Sequence, residues 1–455
     1  MVSINQYRLL IVGFPGSLYS VLREIPPLPR FSKGTGLPPR PVPLLFLLSV
    51  SVTGMGSRLS PRSQLAVWSL RTVNQLSRRF GLGAGTVAGG RVALTIDPEL
   101  LPKLARRRRI VLVSGTNGKT TTTALTVAAL GAAATNDTGS NMPAGHVAAL
   151  ATSNETFVVL ETDEAWLPSV MAQVAPDVVV LLNLSRDQLD RSSEVRVVVE
   201  KWRTALHHTN AIVVANAADP LVAYAAVSQI GSKVVWVDAG LEWTGDARSC
   251  PQCTEPLDPV GEWRCACGFA RPHIDYHVAD ELVGPRESVP LRVNLPGDFN
   301  RANAAMAMVA ASQCGVPLAL GAERVARVHS VAGRFTLRRY QGRTWRLLLA
   351  KNPAGVSALV DLVREGRDVV VAINDHVADG FDPSWLYDAP FDRLRGRRVW
   401  CAGSRALDLA ARLDYADVEF ALVDDFAPDL DHDEVVDVVA NYTAFAEWMS
   451  RTEPC

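Results

Sequence analysis

The run Ile110–Leu130, IVLVSGTNGKTTTTALTVAAL, has the residues to hold a polyphosphate. A β-branched apolar segment ends in Gly115-Thr116-Asn117-Gly118-Lys119-Thr120-Thr121, and a helix-forming apolar stretch follows. Glycines at such a turn let backbone N–H groups point inward. The lysine then reaches the β- and γ-phosphates, and a hydroxyl, here that of Thr120, holds Mg²⁺. The standard loop, G-x-x-x-x-G-K-[ST], opens on a glycine. Val113 stands at that place, so this is a shorter variant. Glu161 closes another apolar run, Phe157–Leu160, and a carboxylate at the end of a strand beside the loop suits the same Mg²⁺. A second chemistry lies at Cys250-Pro251-Gln252-Cys253 and Cys265-Ala266-Cys267-Gly268. Four thiolates suit a tetrahedral Zn²⁺ that is structural, since no coordination position stays open. The C-x-C half is tighter than the usual C-x-x-C and is expected to strain its turn.

These groups need a frame. Continuous apolar runs at Ile110–Val113, Phe157–Leu160, Val178–Leu182, Ala211–Val214 and Val234–Val237 are separated by helical or loop segments. Such runs are strands buried on both faces, which predicts an α/β fold with a parallel, doubly wound sheet and nucleotide at the carboxyl ends of its strands. A helix is expected near Gln64–Phe80, followed by a glycine-rich loop. The cysteine knuckle interrupts the domain between about Gly245 and Arg271, and a helix near Asn300–Cys314 follows. Gly333-Arg334 opens a second α/β region with strands near Trp345–Leu349, Val369–Ile373 and Arg398–Ala402. The expected division is an ATP-binding domain over 55–330, holding a zinc-ribbon insert at about 245–271, and a Rossmann-like α/β domain over 331–455.

The 455 residues are 48% hydrophobic and 20% charged, with a formal net charge of −1, which gives no overall electrostatic case for nucleic acid or an anionic membrane. Arg106–Arg109 reads as a solvated turn. The cysteine pattern fits a metal knuckle in a reducing cytosol rather than a disulfide framework. Cys314 and Cys401 read as core residues, and His207-His208 as an exposed helix end. Residues 1–54 are proline-rich, and their apolar run Val42–Val52 is too short to span a bilayer. They read as a disordered extension or an upstream mis-assigned start, with Met55 the alternative.

The variant loop resembles that of the Mur ligase superfamily, which joins amines to carboxylates through an acyl phosphate. Glu161-Thr162-Asp163-Glu164-Ala165 agrees with it. Asn183-Leu184-Ser185-Arg186-Asp187-Gln188-Leu189-Asp190-Arg191 resembles the family's Asp-His-Leu-Asp segment, with Gln188 in place of histidine. Gly297-Asp298-Phe299-Asn300-Arg301-Ala302-Asn303 resembles the adenine-binding helix, in which Asn303 would read the base. Gly333-Arg334 resembles the glycine–arginine pair that contacts nucleotide. With the four-cysteine insert, Thr135–Met142, Lys351-Asn352-Pro353-Ala354-Gly355 and the run Ile373–Trp385, the resemblance narrows to the MurT family, the synthetase subunits of lipid II isoglutaminyl synthase.

That resemblance implies ATP- and Mg²⁺-dependent amidation of the α-carboxylate of D-glutamate in the lipid II stem peptide, giving D-isoglutamine. The ammonia would come from a GatD-type class I glutaminase subunit, in the cytoplasm at the inner membrane face. Asn352 and Arg334 would contact nucleotide. One aspartate among Asp375, Asp379 and Asp382 would complete the partner's Cys–His pair, with Asp382 favoured and Asp379 second. Two alternatives stand beside it. One is a stand-alone Mur-type amino-acid ligase, separated by activity without a partner. The other is a nucleotide-gated scaffold, whose function would survive Lys119→Ala.

Overall fold

The computed structural model describes residues 59–80, 86–136, 139–186, 195–227, 233–241, 243–331, 335–363, 368–423, 425–430 and 435–455. The expected extension (1–54), the segment Asp187–Arg191 and the pair Gly333-Arg334 lie outside them.

The first sheet contains β1 (Arg109–Ser114), β2 (Ala134–Thr135), β3 (Phe157–Glu161), β4 (Val178–Leu181) and β5 (Ile212–Asn216). It continues through β6 (Val234–Asp238), β7 (Tyr276–Val278), β8 (Glu281–Val283) and β9 (Ser288–Pro290). The strand order is β2-β3-β1-β4-β5-β6-β7-β8-β9, parallel as far as β7 and antiparallel beyond it. The chain runs from β1 to β2 and β3 on one side, then crosses to β4 on the other. The carboxyl end of β1 therefore opens on a crevice between β3 and β4, the place where such sheets hold ligands.

Ten helices among the described residues surround this sheet. They are α1 (Pro61–Arg79), α2 (Thr86–Ile96), α3 (Leu100–Ala105), α4 (Lys119–Leu130), α5 (Pro143–Thr152), α6 (Leu167–Val174), α7 (Val195–His207), α8 (Pro220–Ala226), α9 (Asp298–Gln313) and α10 (Leu318–Val325). Pro61 at the first helical position and the Ser60 hydroxyl, which accepts from Ser63 N at 3.2 Å, start α1 ahead of the expected Gln64. Helix α9 is buried along Ala304–Ala311, packed on Val111, Val113 and Leu125. Its small side chains let it lie close over α4, which brings Asn303 to the phosphate loop.

The second sheet contains β10 (Phe335–Tyr340), β11 (Arg343–Leu349), β12 (Val369–Ala372), β13 (Val399–Ala402), β14 (Phe420–Leu422), β15 (Val436–Ala440) and β16 (Glu453–Pro454). Its order is β14-β13-β12-β15-β11-β10-β16, with α11 (Pro353–Val360), α12 (Ala406–Tyr415) and α13 (Tyr442–Arg451) around it. The central strand β15 was not expected, because Asp437 interrupts its apolar run. The fold neutralises that buried acid with the Arg346 guanidinium, whose second nitrogen lies 2.8 Å from Asp437 Oδ2. Cys314 and Cys401 are buried in the two cores, as expected.

Candidate active site

Gly118 caps α4 with φ 84°, a left-handed conformation that glycine adopts without strain. A Cβ there would stand 2.5 Å from Asn303 Oδ1, so the glycine is also what lets α9 approach the loop. The loop is pinned to the segment after β4. Thr116 N donates to Asn183 O at 2.9 Å, Asn117 N donates to Asn183 Oδ1 at 2.9 Å, and Asn183 Nδ2 donates to Asn117 O at 3.1 Å. Ser185 N donates to Thr116 Oγ1 at 3.0 Å. Two buried polar atoms here, Asn117 Nδ2 and Ser185 Oγ, have no hydrogen-bond partner among the described residues. Buried polar groups are nearly always paired, so this cradle fits a polar ligand. Lys119 Nζ is held by Gly115 O, by Thr116 O at 3.2 Å and by Glu164 Oε2 at 2.9 Å.

The structure brings together the two residues expected to hold Mg²⁺. Thr120 Oγ1 donates to Glu161 Oε2 at 2.9 Å, although the two residues lie on different elements. Glu161 is fixed through its backbone: its N donates to Asn136 Oδ1 at 2.9 Å, and its carbonyl accepts from Asn136 Nδ2 at 3.1 Å and from His146 Nε2 at 2.9 Å. Burial pushes the His146 imidazole down to about 4, so the ring is neutral and its Nε2 carries the proton that the carbonyl accepts. Asn136, His146, Asn183 and Glu164 act here as well. Asn136, Glu164 and Asn183 stand in the segments Thr135–Met142, Glu161–Ala165 and Asn183–Arg191 that carry the resemblance, whereas His146 gave no signal.

Beside the loop, between the two sheets, lies a cleft of about 160 Å³. Leu182, Trp243, Phe299, Met306 and Phe335 give it apolar walls, and the amides of Asn117, Asn183, Asn216, Asn300 and Asn303 converge on it. That combination suits a planar heterocycle with polar edges. Asn303 is buried, accepting from Thr122 Oγ1 at 3.2 Å and donating to Asn300 Oδ1 at 3.2 Å. Thr121 lines the cleft. Asn352 does not: its Oδ1 accepts from Gly355 N at 2.8 Å and caps α11, whose Ala354 and Gly355 form the cleft wall instead. A larger groove, about 1280 Å³, lies at the amino ends of β1, β4 and β5. It is remote from the loop and holds none of the expected site residues, so the chemistry is assigned to the smaller cleft.

The four cysteines converge, their sulfurs all within 4.8 Å of one another. Cys250 Sγ is 3.7 Å from Cys267 Sγ, and Cys253 Sγ is 3.4 Å from Cys265 Sγ. A tetrahedral ion with bonds of ~2.3 Å to sulfur sets its ligands about 3.8 Å apart, so the donor set fits a metal ion. The tight C-x-C turn closes without strain at the cysteines. Gly268 takes φ 92° and donates its N–H to Cys265 O at 3.0 Å. The Cys267 backbone N–H, donating to the Cys265 sulfur, brings that thiol down to about 7. The knuckle seats on α8 through Trp263, Phe269 and Tyr224.

Residues 113–311 match the family model of the Mur ligase middle domain, and 349–445 match that of the MurT ligase C-terminal region. The chain is 30% identical over 429 residues to the lipid II isoglutaminyl synthase (glutamine-hydrolyzing) subunit MurT of Staphylococcus aureus strain COL, covering 86% of this chain and 98% of that one. The chain belongs to the MurT family. The MurT subunit of Streptococcus pneumoniae R6 is 29% identical, over 73% of this chain and 82% of its own. A pseudomurein peptide ligase type C from Methanothermus fervidus shares the fold at TM-score 0.61 and 18% identity, covering 78% and 80% of the two chains. This MurT-family chain is therefore an enzyme, a Mur-type ATP-dependent ligase of peptidoglycan synthesis.

In the MurT C-terminal region the candidate aspartates part company. Asp379 is buried, its Oδ1 accepting from Thr443 N at 2.9 Å and its Oδ2 from the Thr443 hydroxyl, so it holds the start of α13. Asp375 bonds Ser404 Oγ at 2.6 Å and pairs with Arg405 at 3.0 Å. Asp382 is exposed and accepts from Ser384, from its N at 2.9 Å and from its hydroxyl. That N–H holds its carboxyl below the usual range, so it is ionised at neutral pH. Arg186, after β4, ties this segment to the nucleotide side: its guanidinium pairs with Asp246 and lies 3.2 Å from Asp388 Oδ2.

Proposed function

We propose that the chain is the synthetase subunit that amidates the α-carboxylate of D-glutamate in lipid II, with ATP and with ammonia from a GatD-type class I glutaminase. The carrying observation is the Thr120–Glu161 pair directly beside Lys119 in the phosphate loop. A carboxylate is a poor electrophile, so it needs activation. One of its oxygens takes the terminal phosphoryl group, the bond to the bridging oxygen breaks, and ADP leaves. Ammonia then attacks the acyl carbon, loses a proton and expels phosphate. Lys119 neutralises charge on the transferring phosphoryl group. Thr120 and Glu161 would hold Mg²⁺, which when bound adds a further positive charge there. Asn303 and the apolar cleft would hold the base. Arg334, from the family resemblance, would join them.

The donor set of four thiolates favours Zn²⁺ at the knuckle as a structural ion. Asp382 is exposed and ionised, which supports it as the group that orients the partner's catalytic histidine. Among the described residues no helix is long and apolar enough to cross a membrane. The proposed place of action is the cytoplasmic face of the membrane that carries lipid II.

The test supplies the chain and its glutaminase subunit with lipid II, MgATP and glutamine labelled with ¹⁵N in the side-chain amide. Label should appear in the stem peptide, and Lys119→Ala should remove it. Ligation of a free amino acid without the partner, or undiminished amidation by Lys119→Ala, overturns the proposal.

A further inference from the structure

Between Leu59 and Ile96 the chain carries five arginines (Arg62, Arg71, Arg78, Arg79, Arg91) and no aspartate or glutamate. In a protein with net charge −1 this is a segregated cationic surface. Helix α1 buries Ala66, Val67, Leu70 and Asn74 against its neighbours. Its opposite side leaves Leu65, Trp68, Leu76 and Phe80 exposed by 53%, 64%, 47% and 71%. At 100° per residue these four fall within one arc of about 120°, directly away from the buried side. Arg79 falls inside that arc and Arg62 on its edge, and Arg71 and Arg78 lie together about 60° and 80° beyond the other edge. No described carboxylate pairs with any of the five arginines. Arg62 and Arg71 reach only backbone oxygens, those of Ile96 and Ala151, which fixes their stems and leaves their charge.

An arginine-flanked stripe with tryptophan, phenylalanine and leucine, and without acids, is the composition of a helix lying in the headgroup layer of an anionic bilayer. We propose that the α1–α2 face docks this chain on an anionic lipid surface. The placement suits the chemistry. Helix α2 packs on α5, and α5 carries His146, which bonds the backbone of Glu161. The face therefore sits one helix layer from the proposed phosphoryl-transfer site. Its purpose, presenting the site to a lipid-linked substrate, rests on the proposed function, whereas the surface itself rests on exposure and charge.

The experiment is co-sedimentation of the complex with vesicles of phosphatidylglycerol and phosphatidylcholine, against vesicles of phosphatidylcholine alone. Binding should require phosphatidylglycerol and weaken with salt. Removing the charge of Arg78 and Arg79 together (Arg78→Gln with Arg79→Gln) should lower it about 25-fold, roughly five-fold per arginine. Trp68→Ser with Phe80→Ser should lower it at low salt as well. All four positions are exposed, so the variants should keep the parent's melting temperature and amidate a water-soluble, short-chain lipid II analogue at the parent's rate. Equal binding to both vesicles, or undiminished binding by the arginine variant, overturns the proposal. So does loss of the glutaminase subunit from either variant, which would make the face a protein interface. Failure of soluble amidation by the parent with vesicle binding intact would overturn the proposed function and leave this surface standing.

Discussion

The Lys119 ammonium lies 2.9 Å from the Glu164 carboxylate, with the two side chains only 6% and 12% exposed. An incoming triphosphate has to draw the ammonium away from that carboxylate. Glu164→Gln removes the competing charge while keeping the shape. It should tighten ATP binding by about three- to tenfold, read by calorimetry. Lys119→Ala should lower amidation by at least ~100-fold while the chain stays folded.

The two favoured aspartates should separate by phenotype. Asp382→Asn should leave the melting temperature unchanged and lower the partner's glutamine hydrolysis by up to ~10⁴-fold, the cost of removing a histidine-orienting carboxylate. Asp379→Asn should instead lower stability by about 1–3 kcal/mol, since it weakens the two bonds that start α13. Glutaminase assays and thermal melts on both variants check this. Equal loss of glutaminase activity with Asp382 intact would reverse the assignment.

Metal removal should act on the knuckle first. Elemental analysis should find about one zinc per chain, and a strong chelator or Cys253→Ser should remove it. The four thiols link the turns at Cys250 and Cys265, so the melting temperature should fall by several degrees. The sheet β1–β6 does not depend on those sulfurs, so far-UV circular dichroism should change little.

His146 makes stability depend on acid. Its folded value of about 4 lies below its ordinary 6.5, because burial disfavours the imidazolium. The unfolded chain takes up the proton first, so the contribution is present above pH 6.5 and is lost as pH falls towards 4. The loss should reach about 3 kcal/mol at the acid end. Urea titrations between these limits should show the slope. His146→Gln, which can still donate to Glu161 O, should flatten it.

Local chemistry was legible along the chain. The phosphate loop, the cysteine knuckle and the apolar strands depend on residues a few positions apart, so glycine, lysine, thiol and β-branched side chains announce them. What the tertiary structure decided were encounters between distant residues. Thr120 meets Glu161 because β1 and β3 are neighbours, and Asn303 meets Gly118 because α9 is small enough to close over α4. Asp379 turns inward to Thr443 and Asp382 outward, a difference their shared run of turn residues does not encode. Asn352, expected at the nucleotide, became a helix cap because a first-turn N–H three residues later needed an acceptor. Strand β15 stayed hidden because the arginine that makes its aspartate tolerable lies on another strand. The sequence by itself specifies which groups can do chemistry. Only packing decides which are spent on holding the fold and which stay free to act, because a buried polar group has to find its partner wherever the fold puts one.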